Sequence, residues 1–201
     1  IVNCPDYGVP QHRRRLVLLA SRFGKIDLIP PLYDEEHYIT VRDAIGHLQP
    51  IEAGEICIND SLHRSSALSE INIERIRQSV PGGTWRDWDE NLKLRCHRKA
   101  SGATFPSVYG RMEWDRPSPT MTTQFYGYGN GRFGHPEQDR AISLREGAIL
   151  QSFPEDYIFA DEQHPVKKRE LGTHIGNAVP VELGRAIGIS IQEHLKEMEV
   201  N

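Results

Sequence analysis

Gln11, Arg13 and Arg15 occupy alternate positions in a short segment that leads into an apolar run. Alternate side chains of an extended segment point to the same side, so these three are predicted to share one face. An arginine guanidinium is a planar fork of donors that suits phosphate oxygens and the carbonyl groups of bases. The spacing is therefore compatible with a nucleotide site. A solvated strand edge whose arginines pair with acidic neighbours explains it as well, and the residues alone favour that simpler interpretation.

A second group of polar residues surrounds Met121 in a segment, residues 120–125, that the sequence predicts as a strand. Small hydroxyl groups and an amide can reach base edges or phosphates. An ordinary threonine-rich strand is an equally good explanation. The candidate DNA contacts in this segment are Thr120, Thr122, Thr123 and Gln124.

The charge of the chain is unevenly distributed. The 201 residues include 24 Lys and Arg against 28 Asp and Glu, but residues 1–24 carry four arginines and one aspartate. Residues 91–116 carry six basic and two acidic side chains. Two basic patches on an acidic body suit a polyanion, although solvated basic faces are common. The candidate phosphate contacts are Arg98, Lys99 and Arg111; Trp85, Trp88 and Trp114 could stack on bases, but tryptophan is more often part of a core.

Composition excludes several other classes of protein. No apolar run approaches the roughly 20 residues that a membrane helix requires. Three scattered cysteines are too few for a disulfide framework, and the adjacent pair Cys96 and His97 cannot easily share a tetrahedral zinc. We therefore expect no membrane, no metal and a reducing intracellular setting.

The sequence predicts short elements around these groups. Thr40 and the pair Ser143 and Glu146 are helix-start signals, and Pro180 suits a first helical turn. We expect a strand over residues 16–20 buried on both faces, helices over 40–49, 66–79, 143–152 and 180–198, loops and short strands over 81–140, and a surface loop over 161–173. The predicted core stripes are Ile73, Ile76 and Val80 in the second helix, and Leu183, Ile187, Ile191 and Leu195 in the last.

Several stretches resemble one family, the DNA (cytosine-5) methyltransferases. Residues 6–16 contain the family pattern Q-x-R-x-R, residues 140–154 resemble its ninth conserved block, and residues 175–180 (Ile-Gly-Asn-Ala-Val-Pro) resemble its tenth. Residues 116–123 (Arg-Pro-Ser-Pro-Thr-Met-Thr-Thr) look like the edge of the family's target-recognition region. The blocks follow one another in the family's order and cover nearly the whole chain, with a loose match over residues 25–110.

The resemblance implies a fold and a set of roles. The fold class is α/β: the C-terminal part of a Rossmann-like methyltransferase, with a small α+β target-recognition domain flanked by a catalytic-domain strand and a C-terminal helix. The implied divisions are residues 1–25, 26–160 and 161–201. Arg15 would help to hold a cytosine flipped out of double-stranded DNA, and Gln11 and Arg13 would organise that pocket. Asn177 and Ala178 would line the S-adenosylmethionine pocket.

Part of the family's chemistry has no counterpart in this sequence. The family uses a cysteine in a Pro-Cys-Gln context, a glutamate in Glu-Asn-Val and a glycine-rich turn for the cofactor, and neither tripeptide is present. The chain also begins with Ile1 rather than Met. We therefore expect a C-terminal fragment that does not methylate DNA alone, with S-adenosylmethionine held mainly by an N-terminal catalytic half.

Two alternatives remain open. The chain could be one subunit of a split methyltransferase whose second subunit carries the cysteine, or a non-catalytic DNA-binding module that kept the recognition region. An intact cofactor block counts against the second alternative, since a pure DNA-binding module has no use for it. We expect a bacterial cytoplasmic protein associated with the nucleoid.

Overall fold

Four short α-helices, a longer C-terminal helix and two small antiparallel strand pairs form the main elements of the fold. The computed structural model describes residues 1–99, 101–161 and 163–199. The strands are β1 (Val2–Asn3), β2 (Arg14–Arg15), β3 (Ile56–Cys57) and β4 (Asp60–Arg64), and the α-helices are α1 (Val41–Ile45), α2 (Glu70–Gln78), α3 (Leu144–Leu150), α4 (Lys168–Asn177) and α5 (Val181–Glu199). β1 pairs with β2 and β3 with β4. Within the described ranges, no helix has the length and apolar character needed to cross a membrane.

The helix starts that the sequence predicted at Thr40 and Ser143 are confirmed by reciprocal capping. The Thr40 hydroxyl accepts from the Asp43 amide at 3.2 Å, and the Asp43 carboxylate accepts from the Thr40 amide at 2.9 Å. Ser143 and Glu146 form the same arrangement, at 3.0 and 2.6 Å. Each cap satisfies two amides that would otherwise lack partners. Both helices end earlier than predicted, α1 at Ile45 and α3 at Leu150.

The central core lies between α1, α3, α4, β4 and the loops of residues 112–133. Its fully buried members come from all of these parts of the chain: Val41, Ile45, Leu62, Met112, Phe125, Ile142, Leu144, Leu150 and Ile175. The described part of residues 81–140 has the loops that the sequence predicted but not the short strands, because only isolated bridges and 3₁₀ turns occur there. Side chains from this region reach the core from those turns and bridges.

A buried ion pair anchors the start of α3 in this core. Arg140 donates to both carboxylate oxygens of Glu146 at 2.7 Å, and its Nε donates to the Ile51 carbonyl at 3.0 Å. Burial alone would raise the pKa of Glu146, but the Arg140 guanidinium outweighs burial and lowers this pKa to about 2. Beside the pair, burial lowers the pKa of His135 to about 4 despite the nearby Glu146 charge. Glu146 is therefore both a helix cap and an ion-pair partner.

The tryptophans belong mainly to a second core. Trp85 and Trp88 are buried with Ile76 and Tyr128, and the Trp88 indole donates to the Ser79 hydroxyl at 2.9 Å. His97 stacks on Trp85 with ring centres 4.1 Å apart. The idea that Trp85 and Trp88 stack on bases is therefore wrong, because their faces are already covered. Trp114 is partly buried against the central core.

A third core joins the N-terminal turn to α5. Cys4, Tyr7 and Val9 pack against Leu183 and Ala186. Beyond this contact the predicted stripe of α5 is wrong, because Ile191 and Leu195 are 42% and 46% exposed. The buried positions farther along α5 are instead Ser190 and His194, whose polar side chains bond to Ala186 and Ser21.

Residues 16–20 do not form the doubly buried strand that the sequence predicted. Leu16 and Leu18 are 80% and 87% exposed, whereas Val17 and Leu19 are half-buried. One face of the segment therefore packs on the third core and the other has no cover among the described residues. A strand buried on both faces needs neighbours on each side.

Three further predictions are corrected. α4 begins at Lys168, inside the predicted surface loop of residues 161–173, of which Glu162 lies outside the described residues. Residues 120–125 form no strand, and a turn begins at Thr123. α2 begins at Glu70, after the predicted start, and Val80 is exposed just beyond its end. Local composition could not show α4, because its buried face contains two glycines.

Replacing Glu146 with glutamine should strongly destabilise the fold. The variant keeps the shape of the side chain but leaves the Arg140 charge buried without a counter-charge, which typically costs about 3–5 kcal/mol. Urea unfolding at neutral pH measures the change. The exposed Glu36→Gln is the matched control and should change the free energy of unfolding by less than about 0.5 kcal/mol. Equal effects of the two substitutions would contradict the assigned role of the pair.

Acid should destabilise the fold in two steps. The pKa of His135 is about 4 in the folded chain against 6.5 for an ordinary histidine, so between these pH values only the unfolded chain takes up the proton. Stability therefore falls as pH drops through this window. The Glu146 contribution is present above pH 4.5 and is lost as pH falls toward 2. In urea unfolding at about pH 7 and pH 5, His135→Asn should lose less stability on acidification than the native chain. An unchanged loss would rule out His135 as its source.

Candidate functional site

The Gln11 side chain is the centre of a buried hydrogen-bond network. Its Nε2 donates to the Leu150 carbonyl at 3.1 Å and to Gln151 Oε1 at 3.2 Å. Its Oε1 accepts from the Met121 amide at 2.9 Å and from Arg13 Nη1 at 3.2 Å. Both donors and both acceptor positions of the amide are thus used. Gln11 thereby joins the N-terminal segment to the end of α3 and to the loop at Met121.

Gln151 extends this network to the end of α4. Its Nε2 donates to the carbonyls of Ile175 and Gly176 at 2.8 and 3.3 Å. These are among the last carbonyls of α4, which have few partners within the helix itself. Gln151 was not among the candidate site residues. Its place in the sequence block at residues 140–154 was the available signal, but no site residue was predicted in that block.

Arg13 and Arg15 differ in their surroundings although they were predicted to share a face. Arg13 is buried and donates to the carbonyls of Met121 at 3.1 Å and Gly176 at 3.4 Å. Its Nε has no hydrogen-bond partner among the described residues, and burial lowers the pKa of its guanidinium. Arg15 is half-buried, and its Nη1 donates to the Arg14 carbonyl at 2.8 Å. Arg13 is therefore engaged in the fold, whereas the Arg15 fork remains available to a ligand.

Three glycines allow the loop of residues 122–126 to lie directly on α3 and α4. A Cβ at Gly176 would overlap the Thr122 carbonyl, and one at Gly172 would overlap the Tyr126 ring. A Cβ at Gly147 of α3 would overlap the Phe125 ring. Close packing of this kind leaves no room for an added methyl group without displacement of backbone or ring. The loop is consequently held against both helices.

Asn177 and Ala178 lie at the junction between α4 and α5, so the predicted loop-to-helix start is in fact the end of one helix followed by the next. Asn177 is the last residue of α4 and is exposed, and Ala178 is half-buried. The neighbouring Val179 is 63% exposed. An exposed amide beside apolar surface can form one wall of a pocket, and the same junction touches Arg13 through Gly176.

The predicted DNA contacts in the loop after Ser118 are close to this network. Thr120 and Thr122 are exposed, as is Gln124, while Thr123 is half-buried. The Thr120 hydroxyl donates to the His12 carbonyl at 2.5 Å, which ties the loop to the Gln11 segment. The loop thus meets the network at two places, through Thr120 at the Gln11 segment and through Thr122 at Gly176.

The three basic candidates are distributed differently. Arg98 and Lys99 are exposed on the turn after His97, and Arg98 donates to the Glu90 carbonyl at 2.8 Å. Arg111 is buried, and its guanidinium donates to four backbone carbonyls and forms a 2.5 Å ion pair with Asp139. This position does not fit the phosphate contact that the sequence predicted for Arg111, because its donors are used within the fold. Among the described residues, no group of three or more metal-ligating side chains occurs.

Comparison with known proteins accounts for this arrangement. The family model of the C-5 cytosine-specific DNA methylases matches residues 1–193. The chain belongs to this family. The match runs through the Gln11 segment, the Met121 loop and the α4–α5 junction, so all parts of the network lie within the methylase region.

The relatives are DNA methyltransferases of bacteria and plants. The chain is 57% identical over 196 residues to the type II methylase M.HgiDII of Herpetosiphon aurantiacus, an alignment that covers 98% of this chain and 55% of that protein. It is 35% identical over 248 residues to DNA (cytosine-5)-methyltransferase 3 of Arabidopsis thaliana, covering 97% of this chain and 17% of that protein. The methylase chain thus spans about half of the length of the Herpetosiphon relative.

A solved structure supports the fold. A crystal structure from E. coli, described as a DNA modification methyltransferase encoded within a prophage, superposes with a TM-score of 0.63. The superposition covers 97% of this chain and 59% of that one, at 20% identity. The mixed α/β character expected from the sequence agrees with this fold.

Adding a methyl group at Gly176 should loosen the site. In Gly176→Ala the new Cβ would displace the Thr122 carbonyl, and overpacking of this kind typically costs about 1–3 kcal/mol. Gly184→Ala in α5 is the matched control, since open space surrounds that position and alanine is the better helix former by about 1 kcal/mol. Urea unfolding should therefore show opposite signs for the two variants. Stabilisation by both would mean that the loop is not packed against α4 as described.

Proposed function

We propose that this chain is the C-terminal part of a DNA cytosine-5 methyltransferase that transfers a methyl group from S-adenosylmethionine to a cytosine flipped out of the duplex. In this proposal the chain reads the DNA sequence and completes the base and cofactor pockets. Residues 26–160 act as the target-recognition domain, and residues 1–25 and 161–201 belong to the catalytic domain. The proposal places the protein in the bacterial cytoplasm, at the nucleoid.

One observation carries the proposal: the buried amides of Gln11 and Gln151 connect three family blocks at a single place. Three segments meet there: the Q-x-R-x-R segment, the end of α3 within the block of residues 140–154, and the α4–α5 junction. The meeting segments lie far apart in the sequence: Gln11 and Gly176 are separated by 165 positions. The hydrogen bonds of the two glutamine amides hold these segments together. Such a connection suits two pockets that must remain in register with each other.

Arg15 is the proposed contact to the flipped cytosine. Its guanidinium is half-buried and has five donors, of which one reaches the Arg14 carbonyl at 2.8 Å. The fork can therefore donate to a base carbonyl or to a flanking phosphate. Gln11 and Arg13 are positioning residues in this scheme, because their side chains are buried and bonded to the Met121 loop.

The α4–α5 junction fits one wall of a cofactor pocket. Asn177 offers an exposed amide and Val179 an exposed apolar side chain, which suit the polar and hydrocarbon parts of a methionine group. S-adenosylmethionine supplies the activated methyl group when it is bound. Asn177 and Ala178 would orient it from one side, and the rest of its pocket would come from outside this chain.

The nucleophilic cysteine and the ring-binding glutamate are proposed to come from an N-terminal catalytic half or from a second subunit. Two features support a missing partner of this kind. Leu16 and Leu18 expose their side chains beyond β2, and α5 exposes Ile191 and Leu195. Uncovered apolar surface of this extent is typical of an interface. The chain alone is accordingly proposed to be inactive.

Methyl transfer to mixed-sequence duplex DNA tests this proposal. Labelled S-adenosylmethionine is supplied to this chain alone, and then to a mixture with the N-terminal part of the Herpetosiphon methylase that the chain does not match. We expect labelled DNA from the mixture and none from either part alone. Arg15→Ala in the mixture should lower the rate at least about a hundredfold, because it removes the proposed base contact. Arg22→Ala, an exposed neighbour, is the control and should leave the rate unchanged.

The other outcomes distinguish the alternatives. Activity of the chain alone would contradict the assignment of the nucleophile to another polypeptide. Association of the two parts without methyl transfer, combined with duplex binding by this chain, would favour the non-catalytic DNA-binding module. An active Arg15→Ala mixture would exclude the proposed role of Arg15.

A further inference from the structure

We propose that Arg169, on the exposed flank of α4, is a further contact to the phosphate backbone of the DNA duplex. This inference rests on the proposed DNA-binding function. It extends the proposed DNA contacts to α4, a helix that lies where the sequence predicted a surface loop.

α4 lies directly against the candidate base-reading loop. Gly172 and Gly176 approach so closely that an added Cβ would overlap the Tyr126 ring and the Thr122 carbonyl. Exposed side chains of α4 next to the two glycines are therefore close to the loop that carries Thr122 and Gln124, and a ligand bound to this loop would lie near them.

Arg169 belongs to a row along α4 that leads to the proposed cofactor contact. Arg169, Thr173 and Asn177 follow one another at intervals of four residues, so they are neighbours on one stripe of the helix. The Thr173 hydroxyl donates a hydrogen bond to the Arg169 carbonyl at 2.8 Å, which orients the Thr173 side chain along this row. At 1.5 Å per residue, the Arg169 end is about 12 Å along the helix from Asn177. The row therefore runs from the proposed cofactor contact at Asn177 to the exposed Arg169 guanidinium.

The neighbouring cations of α4 are already engaged, whereas Arg169 is not. Lys168 donates to the Ser66 hydroxyl at 3.2 Å and lies 5.8 Å from the centre of the Tyr126 ring. Lys167 lies 3.5 Å from the Glu170 carboxylate. The exposed Arg169 guanidinium has no side-chain partner among the described residues. Of three consecutive cations, one therefore remains available for an anion.

Duplex binding measured as a function of salt tests the proposal. Fluorescence anisotropy with a labelled mixed-sequence duplex would compare this chain with Arg169→Gln and Arg169→Lys. Loss of one phosphate contact should weaken binding by about three- to tenfold and lower the slope of log affinity against log salt by about one. Arg169→Lys keeps the charge and should retain most of that slope. The change should be the same for different sequences, because a phosphate contact carries no sequence information.

Arg185→Gln is the matched control. It removes the same charge from an exposed helical arginine on α5, 3.8 Å from Glu182, and should change neither affinity nor slope. The thermal midpoint of Arg169→Gln should equal that of the native chain, which separates a lost contact from a disturbed fold.

Each remaining outcome counts against the proposal. Equal binding by Arg169→Gln and the native chain would overturn the Arg169 assignment and leave the proposed DNA function intact. Absence of duplex binding by the native chain would overturn both. A loss seen with single-stranded DNA and not with the duplex would show that Arg169 contacts a different form of nucleic acid.

Discussion

Two buried amide side chains determine how the distant parts of this chain meet. Gln11 and Gln151 bond to each other at 3.2 Å, and between them they reach the Met121 loop, the end of α3 and the end of α4. A glutamine in such a position has no tolerance for a missing partner, since an unpaired buried amide costs about 1–3 kcal/mol. The network therefore fixes one arrangement of three segments that share little regular structure. The positions of Arg15, Thr122 and Asn177 all follow from it.

Arginine has a second, structural role throughout the protein. Arg13, Arg111 and Arg140 are buried, and each binds backbone carbonyls from segments without helices or strands. A guanidinium suits this role because its donors point in several directions from one rigid plane. The chain thus uses cations to satisfy carbonyls that a sheet would otherwise have paired. Counting basic residues in the sequence therefore overestimates the positive charge that is exposed on the surface.

The sequence predicted best where a local rule determines the structure. Thr40, Ser143 and Glu146 mark helix starts by capping, which depends on residues only three apart. Predictions were less successful where distant parts decide. Leu16 and Leu18 have the composition of a buried strand, but nothing among the described residues covers them. α4 lacks an apolar stripe because glycines form its contact face, and Arg111 could not be distinguished from a surface cation without its partners.

The glycine contacts also affect how this protein meets a ligand. Gly147, Gly172 and Gly176 hold the loop of residues 122–126 against two helices, so its backbone is ordered before anything binds. A flexible loop would lose conformational entropy on binding, typically about 1–2 kcal/mol for each residue that becomes fixed. Here that cost is already met during folding. Discrimination between ligands at this loop must therefore arise from shape and contacts, and its association kinetics should resemble the docking of a rigid surface rather than folding upon binding.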